Sequence, residues 1–441
     1  MKRFLVLFFI VFSVFSVAET VRVPVSVSSF TGEPIAVTIS MSEILDLVGV
    51  DFDANWDSLR VVQDGEELPY QIDDTDLNGK LSSGDVMAFL ITGPAEITVT
   101  DDFDILPPEF DAVGKVVEEE GQWLIEIGEI TAVANSKGLV KVTGFGDVEG
   151  TIVDELGIVR MSGYVGSTYY VDGEYGRHEE KTSGDFIVKE ATVLPAGPVG
   201  ITVVSTLEAQ PFLGITQKII TTLFSNGDII SHNTFEFATY AELMKLQIMA
   251  TRVLTDAAED TVHTLPVFRR LLWADQLNIT PLEYWLDRNA IMFSGNKPYI
   301  VFPAVDSMRP LWWGATYIFA SQESWRANYS QSLKTGVAEI NPEVPVVVAD
   351  YEEWMGGLTW VYESREFRDG YFEWMPGEID IFESTKDYVS SNWEDYVKHF
   401  VAGDVVSFKR VYSIYSADSI EDSIEFVEMK KSEIQSLKIG E

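Results

Sequence analysis

The chain has 441 residues, with 70 acidic against 31 basic side chains and a net charge of −39 at pH 7. That charge repels nucleic acid and anionic lipid, so neither is expected as a partner. An apolar fraction of 46% with 12% aromatics is that of a packed globular protein, and the absence of cysteine excludes disulfides and thiolate chemistry.

Residues 1–18 carry the pattern of an export signal: Lys2 and Arg3, an apolar run from Phe4 to Val17, and a small-residue cleavage site at Ser16-Val17-Ala18. No later stretch offers ~20 uninterrupted apolar residues, so no membrane insertion is expected once the signal is removed. The expected location is secreted, periplasmic or at the cell envelope.

Residues 19–104 read as a small β domain. Val21, Val23, Val25 and Val27 alternate with polar residues at the period of a half-buried strand. A short helix is predicted over Ser42–Val48 with Ser40 or Ser42 as cap, and further strands over Ser58–Gln63, Leu68–Ile72, Val86–Ile91 and Glu96–Thr100. Between two of these strands, DDTDLNGKLSSGD spaces oxygen-bearing side chains as a calcium loop does. With Asp74 at position one, Asp76 falls at three, Asn78 at five, Gly79 at six, Lys80 at seven through its carbonyl, and Asp85 at twelve. Leu81 at eight is expected to pin the loop to a core. The reading is a structural Ca2+ site without the flanking helices of an EF-hand; an acidic Asx-type turn without metal is the rival.

Residues 100–120, with Pro107-Pro108 and Glu118–Glu120, read as a linker, and strand signals then recur about every ten residues across a large β-sandwich domain over 105–415. The clearest hairpin is KIITTLF-SNG-DIISHNTFEF, where Asn226-Gly227 favours a two-residue type I′ turn placing Ser225 opposite Asp228 and Thr221 opposite His232. Pro281–Arg288 suggests a short helix capped by Thr280. Residues 416–441 form an acidic tail with partial helical spacing at Ile420, Ile424 and Val427. The fold class is mainly β: a small N-terminal β domain, then a large sandwich with few short helices.

The segment VVQDGEELPYQIDDTDLNGKLSSGDVMAFL resembles the N-terminal signature of secreted bacterial glycan-degrading proteins, including the exo-acting rhamnogalacturonan lyase family and related families. GPVGITVVSTLEAQ with QKIITTLFSNGDIISHNTFEF is similar to the central sheet of a galactose-mutarotase-like β-supersandwich. The resemblance implies a polysaccharide or oligosaccharide partner and a lyase or hydrolase activity, with a non-catalytic glycan-binding or envelope protein as the alternative; it assigns no residue a role.

Charge is unevenly spread. Residues 241–340 hold nine basic against ten acidic side chains, a net of −1 that leaves −38 for the rest, and five of the eleven tryptophans. Trp273, Trp285, Trp312 and Trp313, with His263, are the candidate substrate-binding residues: flat faces stack on sugars and nearby arginines pair with uronates. The same tryptophans would equally serve as core in a large β domain. The candidate catalytic residues are His232, on a predicted strand face with Ile230, Thr234 and Glu236; Tyr284 and Arg288 in PLEYWLDRN; and Arg309 in SMRPLWWGATY. Elimination from a uronate needs a base and a cation on its carboxylate, which His232 or Tyr284 and Arg288 or Arg309 would supply. Hydrolysis would instead need two carboxylates.

Overall fold

The structure is a computed structural model that describes residues 18–49, 52–157, 159–165, 168–169, 181–182, 186–209, 214–248, 252–253, 260–266, 270–271, 291–303, 317–321, 325–342, 359–363, 373–376, 379–380 and 398–441. Within them the chain is mainly β, with two helices, neither long and apolar enough to cross a membrane. Most of the expected export signal (residues 1–17) and the expected helix over 281–288 lie outside the described residues.

The N-terminal module contributes β1 (Thr20–Ser26), β2 (Ile35–Ser40), α1 (Met41–Val48), β3 (Asn55–Gln63), β4 (Glu66–Leu68), β5 (Tyr70–Asp73), β6 (Val86–Ile91) and β7 (Ala95–Thr100). Ser40 caps α1 in a capping box: its hydroxyl accepts from the Glu43 amide (3.2 Å) and Glu43 reaches back to the Ser40 amide (3.2 Å). One sheet runs β1-β7-β3-β4 and a second runs β2-β6-β5. Their inward residues, among them Val23, Ile35, Val37, Leu59, Tyr70, Phe89 and Ile97, form a shared core. The first sheet gains a fifth strand from the far end of the chain. Residues 416–441, set apart in the sequence as a tail, hold α2 (Ile420–Ser436), capped by Ser419, and then the short strand Lys438–Ile439, which pairs antiparallel with Val25 and Ser26 of β1.

The larger body is built on a ten-stranded antiparallel sheet. Its spatial order is Ile187–Val193, Gly200–Glu208, Ile215–Phe224, Asp228–Phe237, Val405–Ser416, Thr335–Ile340, Trp325–Ser330, Val262–Pro266, Lys297–Pro303 and Ile291–Ser294. Period-two alternation divides it into two faces. Ile201, Ile219, Ile229, Phe235 and Tyr412 meet Ile125, Ala132, Val142 and Val153 of a six-stranded sheet. On the other face Ile230, Ala327, Ala338, Val411 and Tyr415 meet Ile424, Val427 and Ile434 of α2, together with Ala36 and Ala88 of the N-terminal module.

The central hairpin departs from its expected register. Leu223 pairs with Ile229, Thr221 with Ser231 and Ile220 with His232, so the loop has three residues, not two. A type I′ turn needs positive φ at both central residues; Gly227 has φ 92°, but Asn226 is not left-handed. Asn226 is held otherwise: its amide Nδ2 donates to Pro34 O (2.8 Å) and Asp228 (2.8 Å), while its Oδ1 accepts from the Asp228 amide (3.2 Å).

Those contacts belong to the junction between the two bodies. The Asp228 carboxylate is buried and accepts from Lys430 Nζ of α2 (2.7 Å), Asn226 Nδ2, Ser413 Oγ and the Ala36 amide of β2 (3.4 Å). Lys430 also donates to Pro34 O (3.2 Å). A second group of contacts sits on β5. Gln71 Oε1 accepts from the Gly200 amide (2.9 Å), and Asp73 accepts from the Thr202 hydroxyl (2.6 Å) and from Gln71 Nε2 (2.9 Å). A Cβ at Gly197 would overlap the Gln71 amide group, so a larger residue there must displace Gln71 from the Gly200 amide that it holds. Lys430→Met is expected to cost about 3–5 kcal/mol by leaving the Asp228 charge buried and unpaired. Urea unfolding at pH 7 checks it; a loss under about 1 kcal/mol would show that the pair is not a keystone.

Candidate functional site

Two groupings of polar side chains emerge, one on each body. The first is the acidic loop, which joins β5 to β6; these strands pair antiparallel from Tyr70↔Phe89 to Asp73↔Val86. Ligand atoms of Asp74, Asp76 and Asp85 lie within 4.8 Å of one another, a set able to hold a metal ion. The loop is wound by its own side chains. Asp74 accepts from the amides of Asn78 (3.0 Å) and Gly79 (2.7 Å), Asp76 from the Ser82 hydroxyl (2.6 Å) and Asn78 Nδ2 (2.8 Å), and Asn78 Oδ1 from the Lys80 amide (2.7 Å). Gly79, at the turn position, has φ 73°.

Two carboxyls of the loop are pushed in opposite directions. The Ser82 hydroxyl holds Asp76 below the usual carboxylate range, while burial pushes Asp85 up. Asp85 is 1% exposed; its Oδ2 accepts from the Ser82 amide (2.6 Å), and its Oδ1, also buried, has no hydrogen-bond partner among the described residues. The position-eight residue differs from expectation: Leu81 is 46% exposed and pins nothing. The loop is tethered instead by Thr75 Oγ1, which donates to Gly84 O (2.5 Å), and by Asp85 O, which accepts from the first amide of α1 (2.9 Å).

The second grouping lies on the large sheet. His232 occupies the face turned toward the N-terminal module and is half-buried, with Thr234 and Glu236 on the same side and Phe235 and Phe237 opposite, as alternation predicts. Burial, then the neighbouring Lys409, pushes its imidazole down to about 4. Lys409 in turn donates to Thr38 O of β2 (2.9 Å), so His232 sits at the seam between the bodies. His263 is on the opposite face, four strands away, and the structure does not bring the two histidines together.

His263 belongs to a row of buried polar residues that sequence reasoning did not single out. Its Nδ1 is 3.2 Å from Asn328 Nδ2. Arg326, two residues along the same strand, donates through Nε to Glu339 Oε2 (2.9 Å), and the Tyr412 hydroxyl donates to Glu339 Oε1 (3.5 Å). Arg410, also buried, adds a second positive charge near Glu339. Burial pushes Glu339 up to about 7, with the two arginines pulling the other way. Burial, then Arg326, pushes His263 down to about 3. The available signal was the strand pair itself: WRANYS and TGVAEI each place one charge among small and apolar residues, and Arg326 stands directly opposite Glu339.

Of the other candidates, Trp273, Tyr284, Trp285, Arg288, Arg309, Trp312 and Trp313 lie outside the described residues.

These displaced groups make stability depend on pH with a definite sign. His263 and His232 bind their protons more weakly folded than unfolded, so each contributes stability that is lost as pH falls from about 6.5. Glu339 holds its proton more tightly folded, so its contribution falls as pH rises from 4.5 to about 7. Between pH 4.5 and 6.5 the two histidines make the unfolding free energy rise with pH, while Glu339, Asp73 and Asp85, each pushed up by burial, act the other way. His263→Gln should reduce that slope by up to about 1.4 kcal/mol per pH unit, measured by urea titrations across the window. An unchanged slope would mean that His263 is already charged in the folded chain.

No family model matches the chain, and no curated protein does. Solved structures give distant likenesses. An α-mannosidase from Enterococcus faecalis V583 aligns over 96% of this chain and 46% of its own, at 10% identity and a TM-score of 0.41. Galactose 1-epimerase from Lactobacillus acidophilus NCFM aligns over 70% of this chain and 100% of its own, at 9% and 0.42. The YidC insertase aligns over 72% of this chain and 44% of its own, at 10% and 0.27. The chain thus spans less than half the length of the mannosidase. These likenesses, with galactose-mutarotase-like proteins among them, are distant and bring no activity with them.

Proposed function

We propose that the chain is an exported carbohydrate-active protein acting on acidic polysaccharide, with a calcium-stabilised N-terminal module and an acid–base centre at Glu339, Arg326 and His263. The observation that carries the reading is the buried polar row itself, in which Glu339 pairs with Arg326 (2.9 Å) and meets the Tyr412 hydroxyl (3.5 Å), while burial pushes its carboxyl up to about 7. A general base works best with a pKa near the operating pH, and strongly displaced groups gather where proton transfer occurs. Arg326 is already paired with Glu339, so the cation that a uronate carboxylate requires would come from Arg288 or Arg309. Trp273, Trp285, Trp312 and Trp313 would add stacking faces, and Tyr284, Arg288 and Arg309 further proton-transfer and carboxylate-binding groups.

A second reading, a glycan-binding protein without catalysis, is favoured by one observation: Arg326 and Glu339 are 1% and 0% exposed, as expected of a pair that braces a sheet. Incubation with rhamnogalacturonan and uronic-acid oligosaccharides separates the two. Elimination gives a conjugated alkene absorbing near about 235 nm, and Glu339→Gln is expected to slow it by about 10²–10⁴-fold. Calorimetric binding without product would overturn the catalytic reading and support the second.

The calcium assignment rests on the spacing of Asp74, Asp76, Asn78, Lys80 and Asp85 and on the convergence of the three aspartates. At about 100 times its Kd, calcium is expected to stabilise the chain by about 2.7 kcal/mol relative to chelator, raising Tm. Asp76→Asn should remove most of that gain. Equal melting temperatures in calcium and EDTA would remove the metal from the proposal.

A further inference from the structure

We propose that cation binding in the 74–85 loop sets how firmly the N-terminal module is seated on the ten-stranded sheet, making a calcium-class divalent cation a regulator of docking between the two bodies. This rests on the cation reading above. The loop is not a remote ornament of the module; it grows directly out of the docking strand. Asp73, the last residue of β5, accepts from the Thr202 hydroxyl of the large sheet, and the next residue is Asp74. Gln71, two residues earlier on the same face, holds the Gly200 amide. At the other end Asp85 immediately precedes β6, whose Ala88 packs in the core shared with the large sheet. The charge of Lys218, from the Ile215–Phe224 strand of that sheet, also reaches Asp76.

The physical coupling follows from charge and geometry. Three carboxylates whose ligand atoms converge within 4.8 Å repel one another, and their mutual energy falls when a doubly positive ion sits among them. The buried Asp85 oxygen without a hydrogen-bond partner is the group that a cation would satisfy. Repulsion between Asp74 and Asp85 acts on the loop ends, and those ends are the paired residues Asp73 and Val86. Splaying this pair moves Asp73 and Gln71, the same side chains that grip Thr202 and Gly200. A cation that closes the loop therefore closes the grip.

The test is amide exchange of the full chain in calcium and in EDTA, with calcium binding measured separately by calorimetry. The Gly200 amide is the reporter, because its hydrogen bond crosses the junction to Gln71 (2.9 Å). At free calcium about 100 times Kd, its exchange is expected to slow by up to about 100-fold relative to EDTA. Asp76→Asn, at an exposed position, should abolish the response, and Gln71→Ala should abolish it at Gly200 while leaving calcium binding intact. Calcium binding that protects the Asn78 and Gly79 amides but leaves Gly200 unchanged would overturn the coupling and leave the metal site standing. Absence of calcium binding would overturn both.

Discussion

A carboxylate removed from water must have every lone pair answered, and the Asp228 carboxylate is answered from four directions at once. Lys430 comes from α2, Ser413 from the neighbouring strand, Asn226 from the hairpin loop and the Ala36 amide from β2. No two of these belong to one element, so the carboxylate is fully answered only when sheet, helix and N-terminal module are all in place. Burial of a single pair gives little net stability, but it penalises every arrangement that leaves either partner alone. The hairpin turn, the docking of α2 and the seating of β2 are thereby made conditional on one another.

The same requirement explains why the ten-stranded sheet is covered on both faces. One face meets a second sheet through aliphatic side chains, while the other is shared between α2 and the N-terminal module. Small residues set the second contact: Ala36 and Ala88 on the module, Ala327 and Ala338 on the sheet. Backbone can then approach closely, and Gln71 reaches the Gly200 amide through the space left by Gly197 and Gly200. The PYQIDD stretch accordingly divides its labour. Tyr70 packs inward with its hydroxyl on Leu59 O (2.5 Å), Gln71 and Asp73 face the large sheet, and Asp74 opens the acidic loop.

Much of this was legible in the sequence, and what was not has identifiable reasons. The alternation of valines in β1 and the serine cap before α1 are local, and both elements fall where the residues place them, with Ser40, not Ser42, as the cap. The side of the sheet that His232 occupies was legible too, because alternation is local; what covers that side is a tertiary fact. The hairpin slipped by one residue because Asn226 is recruited by Pro34 and Asp228, a contact 192 residues away in sequence that no turn preference contains. Leu81 was assigned inward by analogy with loops flanked by helices, whereas here two strands hold the loop from below. Arg326 and Glu339 went unremarked because a lone charge in a strand declares itself only once its cross-strand partner is known.

The pairing of Lys438–Ile439 with β1 has a kinetic consequence. Val25 and Ser26 of β1 meet Lys438 and Ile439, so closing this sheet edge spans a loop of more than four hundred residues. Such a loop costs little more to close than one half as long, since the entropy grows only with the logarithm of length, but its ends meet late. Until α2 is laid down, the outer edge of β1 stays open and the Asp228 carboxylate waits without its lysine. The outer edge of β1 and the Asp228 carboxylate are thus completed by one and the same C-terminal segment, so the two closures come together.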